Sequence, residues 1–151
     1  MELIQPTDTE IINAFMDNAE VFISQLPPVD VKIEHIFAPG VYIRKMILPK
    51  GAILTSKIHK TESAFIVSGG RILVYDGVHE AVILQASYDG ITLPGTRRMG
   101  IALENMVWFN IHPTRIKPKN NSKEAIEEAV AKIERSIIEP YTNLKLIQGG
   151  N

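Results

Sequence analysis

No cysteine occurs among the 151 residues, which excludes a disulfide framework and any thiolate-held metal. Such a chain suits a reducing compartment, and cytoplasmic residence is the expectation. Charge of one sign is not in excess either: 16 Lys and Arg stand against 17 Asp and Glu, a net charge of −1 with His neutral. A domain that grips a nucleic-acid polymer usually shows a basic face or stripe, and that footprint is missing. Uninterrupted apolar runs fall far short of the roughly 20 residues that a membrane helix needs, so no membrane partner is expected. The first twenty residues hold acids and no basic segment ahead of an apolar run, which argues against a secretory signal. Also missing are a Gly-rich phosphate loop, a His-Glu-x-x-His pattern and any internal repeat. Ser63 and Ser68 have no neighbours that would make either a nucleophile.

What is present is an ordinary globular composition, 45% hydrophobic, in a length that fits one domain burying roughly 70% of its unfolded surface. Residues 7–26 read as an amphipathic helix. Thr7 and Glu10 make a capping-box pair, Ile11, Phe15, Ala19, Phe22, Ile23 and Leu26 recur at helical spacing, and Pro27-Pro28 ends the run. From Val31 to Pro113 short β-rich segments alternate with turn signals: Pro39-Gly40, Pro49-Lys50-Gly51, Gly69-Gly70, Asp76-Gly77, Asp89-Gly90, Pro94-Gly95 and Glu104-Asn105. Seven or more strands with no helix between them predict an antiparallel β-sandwich or jelly-roll barrel, mostly β, with flanking helices. A second helix is predicted over 122–138, capped by Asn121 or Ser122, with Ile126, Val130, Ile133 and Ile137 as one apolar stripe that packs on the chain's own sheet or on a partner. Pro140 stops it, the linker 117–121 is polar, and the tail from Tyr141 to Asn151 is expected to be partly disordered. The layout is therefore a helix (1–28), a barrel (29–116) and a helix with tail (117–151), as one domain.

The stretch Gly51–Gly69 is where apolar alternation yields to ionisable side chains. If the strand continues through it, Lys57 and His59 share a face while Ile58 points oppositely. A charged corner between two apolar strands suits a pocket wall. Met106, Trp108, Asn110 and His112 likewise share one strand parity, with Val107, Phe109 and Ile111 on the other. His35, on the first strand, has no evident partner, and His79, beside the Asp76-Gly77 turn, is expected to be solvent exposed.

The same stretch resembles the first cupin motif: Gly, five residues, His-x-His, three or four residues, Glu, six residues, Gly. Lys57 falls on the first His and His59 on the second. Glu62, counted back from Gly69, falls on the Glu, one residue short of the usual spacing from His59. Leu93-Pro94-Gly95-Thr96-Arg97-Arg98 is similar to the second motif, with Arg98 in place of its His and Ala102 in place of its Asn. Residues 37–44, 57–62 and 107–114 look more narrowly like small cupins of bacteriophages and prophages. The resemblance implies a barrel whose mouth, in relatives, holds a divalent metal on four residues. Here His59 and Glu62 keep that character, while Lys57 and Arg98 replace imidazoles. A dication about 5 Å from one such cation is repelled by roughly 6 to 7 kcal/mol at an effective dielectric near 20. No cofactor is therefore expected, the alternative being Zn, Mn or Fe on His59, Glu62 and His112.

Lys57, Arg98 and Arg44 suit an anion instead, since Arg offers a planar fork and Lys a compact charge. Tyr42, Trp108, Asn110 and His112 add stacking and polar contacts. The expected function is a metal-free binder of a small anionic molecule, such as a phage protein sequestering a nucleotide-type signal. One alternative is an enzyme, either a metal-dependent oxygenase, isomerase or lyase, or a metal-free epimerase with His59 as base oriented by Glu62. The other is a structural or assembly protein. Ala64-Phe65-Ile66-Val67 is apolar on both faces, so a helix or a second subunit should cover the outer one, and a homo-oligomer is expected by analogy.

Overall fold

The computed structural model describes residues 4–137. Each β-rich run closed by a turn becomes a strand: β1 (Lys32–Ala38), β2 (Val41–Leu48), β3 (Ile53–Thr55), β4 (Ser63–Gly69), β5 (Arg71–Tyr75), β6 (Val82–Gln85), β7 (Tyr88–Thr92), β8 (Met99–Ala102) and β9 (Met106–Pro113). Helix α1 (Ile4–Ile23) precedes them and α2 (Lys123–Ile137) follows. Every pairing is antiparallel. One sheet runs β1-β2-β9-β4-β7 and the other β3-β8-β5-β6, with β9 returning between β2 and β4. The predicted sandwich with flanking helices is the architecture observed. The β1–β2 hairpin turns on Pro39-Gly40, where Gly40 takes φ 78°, a left-handed value that a side chain would strain.

The core lies between the sheets and is built by strand alternation. Phe65 and Val67 of β4, Ile72 and Val74 of β5, and Met106 and Trp108 of β9 point inward and join Leu48, Ala52, Leu84 and Ala102 in one cluster. Each such aliphatic side chain contributes roughly 1.5–3 kcal/mol by leaving water. The parity expected for Met106, Trp108, Asn110 and His112 is observed, with Met106, Trp108 and His112 all buried.

α1 lies on the outer side of the four-stranded sheet, where the Phe15 ring meets Tyr75 edge-on at 5.3 Å. It starts at Ile4, so Thr7 sits inside the helix rather than at its cap. Its buried face also differs from the predicted one. Met16 and Ile23 are fully buried, whereas Ile11 and Phe22 are 45% and 59% exposed. The reason is Glu20, which shares the inward face and is drawn to a buried arginine described below.

α2 is capped as predicted: the amide of Ala125 donates to Ser122 Oγ at 3.1 Å. Its stripe packs on its own chain, where Val130, Ile133 and Ile137 bury against Tyr42, with Phe37 and Ile126 beside them. The helix thus covers the inner face of β1 and β2 where the second sheet does not reach. The predicted end at residue 138, the stop at Pro140 and the tail lie outside the described residues.

Candidate functional site

Inside the sandwich is a cavity of about 80 Å³, lined by inner-face residues of both sheets. Met46, Leu48, Leu54, Ile72, Val74 and Trp108 make its apolar wall, and Ser56, His59, Thr92, Arg98 and Asn110 its polar part. The adjacent pair Arg97-Arg98 is split by extended backbone, which sends neighbouring side chains to opposite faces. Arg98 enters the cavity wall. Arg97, 3% exposed, points out beneath α1.

A local irregularity decides which residues of Gly51–Gly69 reach the cavity. β3 stops at Thr55. The Ser56 amide donates to Arg98 O at 2.8 Å, and the His59 amide to Thr96 O at 3.2 Å. The His59 carbonyl in turn accepts from the Gly95 amide at 2.8 Å, so His59 bonds to both Gly95 and Thr96 and the pairing is irregular here. Residues 56–58 belong to no strand, so strict alternation does not carry through them. Ser56 and His59 both line the cavity, and Lys57 does not. Glu62 is exposed and also outside the lining. The shared face expected for Lys57 and His59 assumed a regular strand, which residues 56–58 do not form.

Arg98 is held from several sides. Its amide donates to Ser56 Oγ at 2.9 Å, and its guanidinium donates to Thr92 Oγ1 at 3.4 Å. The guanidinium carbon stands 5.5 Å from the centre of the Phe65 ring, which stacks on Trp108 at 4.7 Å with the planes 7° apart. The Trp108 N–H donates to Asn110 Oδ1 at 3.0 Å, which leaves the Asn110 amino group as a donor. Burial lowers the pKa of Arg98, with Asp76 and Tyr88 opposing. Arginine nevertheless stays protonated in proteins.

Beyond the lining, Arg44, Tyr42 and His112 continue the same inner face under α2. Arg44 lies opposite Asn110 and Tyr42 opposite His112 across the β2–β9 ladder. The Tyr42 ring stacks between His35 and His112, with centroids 5.9 and 6.1 Å away, and its hydroxyl is 2.7 Å from His35 Nδ1. Burial pushes the Tyr42 phenol up to about 12. Arg44 reaches Glu134 of α2 at 3.8 Å. Burial, then the charges of Arg98 and Arg44, hold His59 down to about 4. Burial, then His59 and Arg44, hold His112 down to about 4 as well. Both imidazoles are therefore neutral at pH 7, and the buried Nδ1 atoms of His59 and His112 have no hydrogen-bond partner among the described residues.

The cupin-type metal can be weighed against this donor set. Glu62 stands away from the cavity, and among the described residues no group of three or more His, Asp or Glu is placed to hold a metal ion. Arg98, in the same wall as His59, adds repulsion on the order of 6 kcal/mol at about 5 Å. The residues present do not fit a divalent cation.

Of the residues singled out in the sequence, His59, Arg98, Trp108 and Asn110 line one cavity, Arg44, Tyr42 and His112 adjoin it, and Lys57 and Glu62 stand apart. Ser56, Thr92 and Phe65, which hold Arg98, carried no signal, because a lone hydroxyl or aromatic in a strand looks the same whichever way it faces.

No known family profile matches the sequence, and no curated protein does. Among solved structures, the chain is similar to a conserved protein with a double-stranded β-helix domain from Klebsiella pneumoniae, at 13% identity and TM-score 0.50 over 60% of this chain and 83% of that one. It is also similar to an RmlC-like cupin from Shewanella frigidimarina, at 20% identity and TM-score 0.48 over 60% and 86%. A further similar structure is KdgF from Halomonas sp., at 17% identity and TM-score 0.48 over 56% and 80%. Two antiparallel sheets closed around an inner cavity, with the likeness to the Klebsiella pneumoniae protein, identify the fold as an antiparallel β-sandwich of the double-stranded β-helix kind.

Proposed function

We propose that the protein is a metal-free cupin-fold binding module that takes a small anion into the barrel cavity. The observation that carries this reading is Arg98: a half-buried guanidinium in the cavity wall to which no described carboxylate is paired. A buried positive charge is costly unless a negative partner is supplied, and an anion supplies it. The Asn110 amino group adds a neutral donor beside it. The expectation of a nucleotide-type signal, and with it the phage setting, has less support, because phosphates bring several negative charges to the one lining cation.

The enzyme reading in which Glu62 orients His59 as a base has lost its orienting group, since Glu62 is exposed. A base with a pKa of about 4 is also far from the value that favours proton abstraction at neutral pH.

Trp108 is the one tryptophan of the chain and lines the cavity, so its fluorescence reports occupancy. Titration with small anions should change that emission saturably in the parent and in Lys57→Ala, and not in Arg98→Ala. Binding undiminished in Arg98→Ala would refute the site, and stoichiometric metal by elemental analysis of protein prepared without chelator would refute its metal-free character.

Self-association is part of the same proposal, with a second copy covering the outer face of the five-stranded sheet. Ile36, Ile66 and Ile91 stand on it, 40%, 36% and 56% exposed. Glu34 and Lys45, 3.7 Å apart, give that face both signs of charge, so a two-fold related copy meets complementary charge.

A further inference from the structure

The polar groups of the cavity are few and the rest of its wall is apolar, and that division restricts the guest more than its charge does. Among the described lining residues Arg98 is the one cation and no carboxylate is present, so the wall neutralises one negative charge. Ser56, His59, Thr92 and Asn110 add hydroxyl, imidazole and amide groups, of which the Ser56 and Thr92 hydroxyls are already engaged by Arg98 and Asn110 Oδ1 by Trp108, while the neutral His59 can serve one further hydrogen bond. Leu48, Leu54, Ile72, Val74 and the Trp108 ring offer no hydrogen bond to the rest of a guest except the indole N–H, which Asn110 already holds. A second charge, or a body with more hydroxyls than His59 and the few other free polar atoms can serve, would be desolvated there without partners, at a cost of several kcal/mol by the usual penalty for burying unpaired polar groups. The volume of about 80 Å³ corresponds to several waters, hence to a small molecule.

We infer that the guest is a small amphipathic monocarboxylate, its carboxylate on Arg98 and the Asn110 amino group and its hydrocarbon or aryl body along Leu48, Ile72, Val74 and Trp108. The inference rests on the anion-binding reading above and narrows it from any anion to one charge on an apolar body. Carboxylate matches the planar fork of the guanidinium, which Phe65 holds in place from its ring face. The apolar body gains from leaving water in proportion to the area it buries.

The test is calorimetric titration of the full chain, with Trp108 fluorescence in parallel, against butyrate, hexanoate, benzoate and phenylacetate. Comparators are hexanamide and phenylacetamide, which keep the body and lose the charge, and acetate, inorganic phosphate and adenosine monophosphate. One or more of the four carboxylates should bind one per chain, with a negative heat-capacity change. Its amide and acetate should each bind about tenfold or more weakly, the scale of one charge-assisted hydrogen bond or of a few buried methylenes. Arg98→Gln should lose about the same factor, with Arg98→Lys between it and the parent. Should Arg98→Gln fail to fold, the acid-against-amide comparison on the parent chain carries the test of the charge requirement. Phosphate or adenosine monophosphate binding more tightly than every carboxylate, with Arg98 still required, overturns this inference and leaves the anion-binding reading intact. Amides binding as well as their acids, or no saturable binding by any of these anions, overturns both.

Discussion

Two adjacent arginines show how little residue type says about role. Arg97 donates to Asn13 Oδ1 at 2.9 Å, to Asp17 at 3.0 Å and to Glu20 at 3.3 Å, so it pins α1 to the barrel. Glu20 is held a second time by the Thr55 hydroxyl at 2.9 Å. Asp17 is 69% exposed and would stay solvated without Arg97, but Glu20, 15% exposed, would be left with its charge uncompensated. Arg97→Ala is therefore expected to cost about 3 kcal/mol, read as a lower urea midpoint. Arg98→Ala should shift the midpoint less and abolish ligand binding instead, and equal effects of the two variants on both readouts would contradict this division. The buried histidines make a second prediction. His112 titrates near 4 when folded and near 6.5 when not, so the unfolded chain holds more protons between those values. Stability should then rise with pH from about 4 to 6.5 and fall on acidification through that window, by on the order of 3 kcal/mol for His112. His112→Phe should flatten this part of the profile in urea titrations at stepped pH. A profile as steep as the parent's would mean that His112 is not held neutral by the fold.

Among the elements, β4 and β7 meet where a side chain is not tolerated. Gly90 lies opposite Phe65, and a Cβ there would stand 2.6 Å from Phe65 Cζ. Gly90→Ala should push the ring off Trp108 and out from under Arg98, costing about 1–3 kcal/mol as overpacking does. It should also shift Trp108 emission without ligand, and unchanged emission with unchanged stability would argue against the stack. The helices were legible in part. The stripe of α2 was readable because Ile126, Val130, Ile133 and Ile137 have no polar rival on their face. The face of α1 was misread because Glu20 looks like a solvent residue until Arg97, far along the chain, lies beneath it. The break in the strand between Ser56 and His59 was not legible at all, since it depends on hydrogen bonds to Gly95, Thr96 and Arg98, far along the chain.

For the whole molecule, residues from both sheets join in one core cluster, α1 is tied to the barrel through Arg97, and α2 packs on Tyr42 in a second cluster. Urea unfolding is accordingly expected as one transition, coincident by Trp108 fluorescence and far-UV circular dichroism. Light scattering should report a dimer that Ile66→Glu converts to monomer, and a parent monomeric at high concentration would remove the proposed self-association. Apolar alternation, turn residues and cap residues act over a few positions, so strand-rich architecture, the flanking helices and the parity of β9 were already present in residue order. The pairing of Ser56 with Arg98, the burial of Glu20 on Arg97, and the gathering of His59, Arg98, Trp108 and Asn110 around one cavity join residues tens of positions apart. Such contacts exist once the chain has closed, because facing direction in a strand depends on register with a neighbour and not on the strand's own residues.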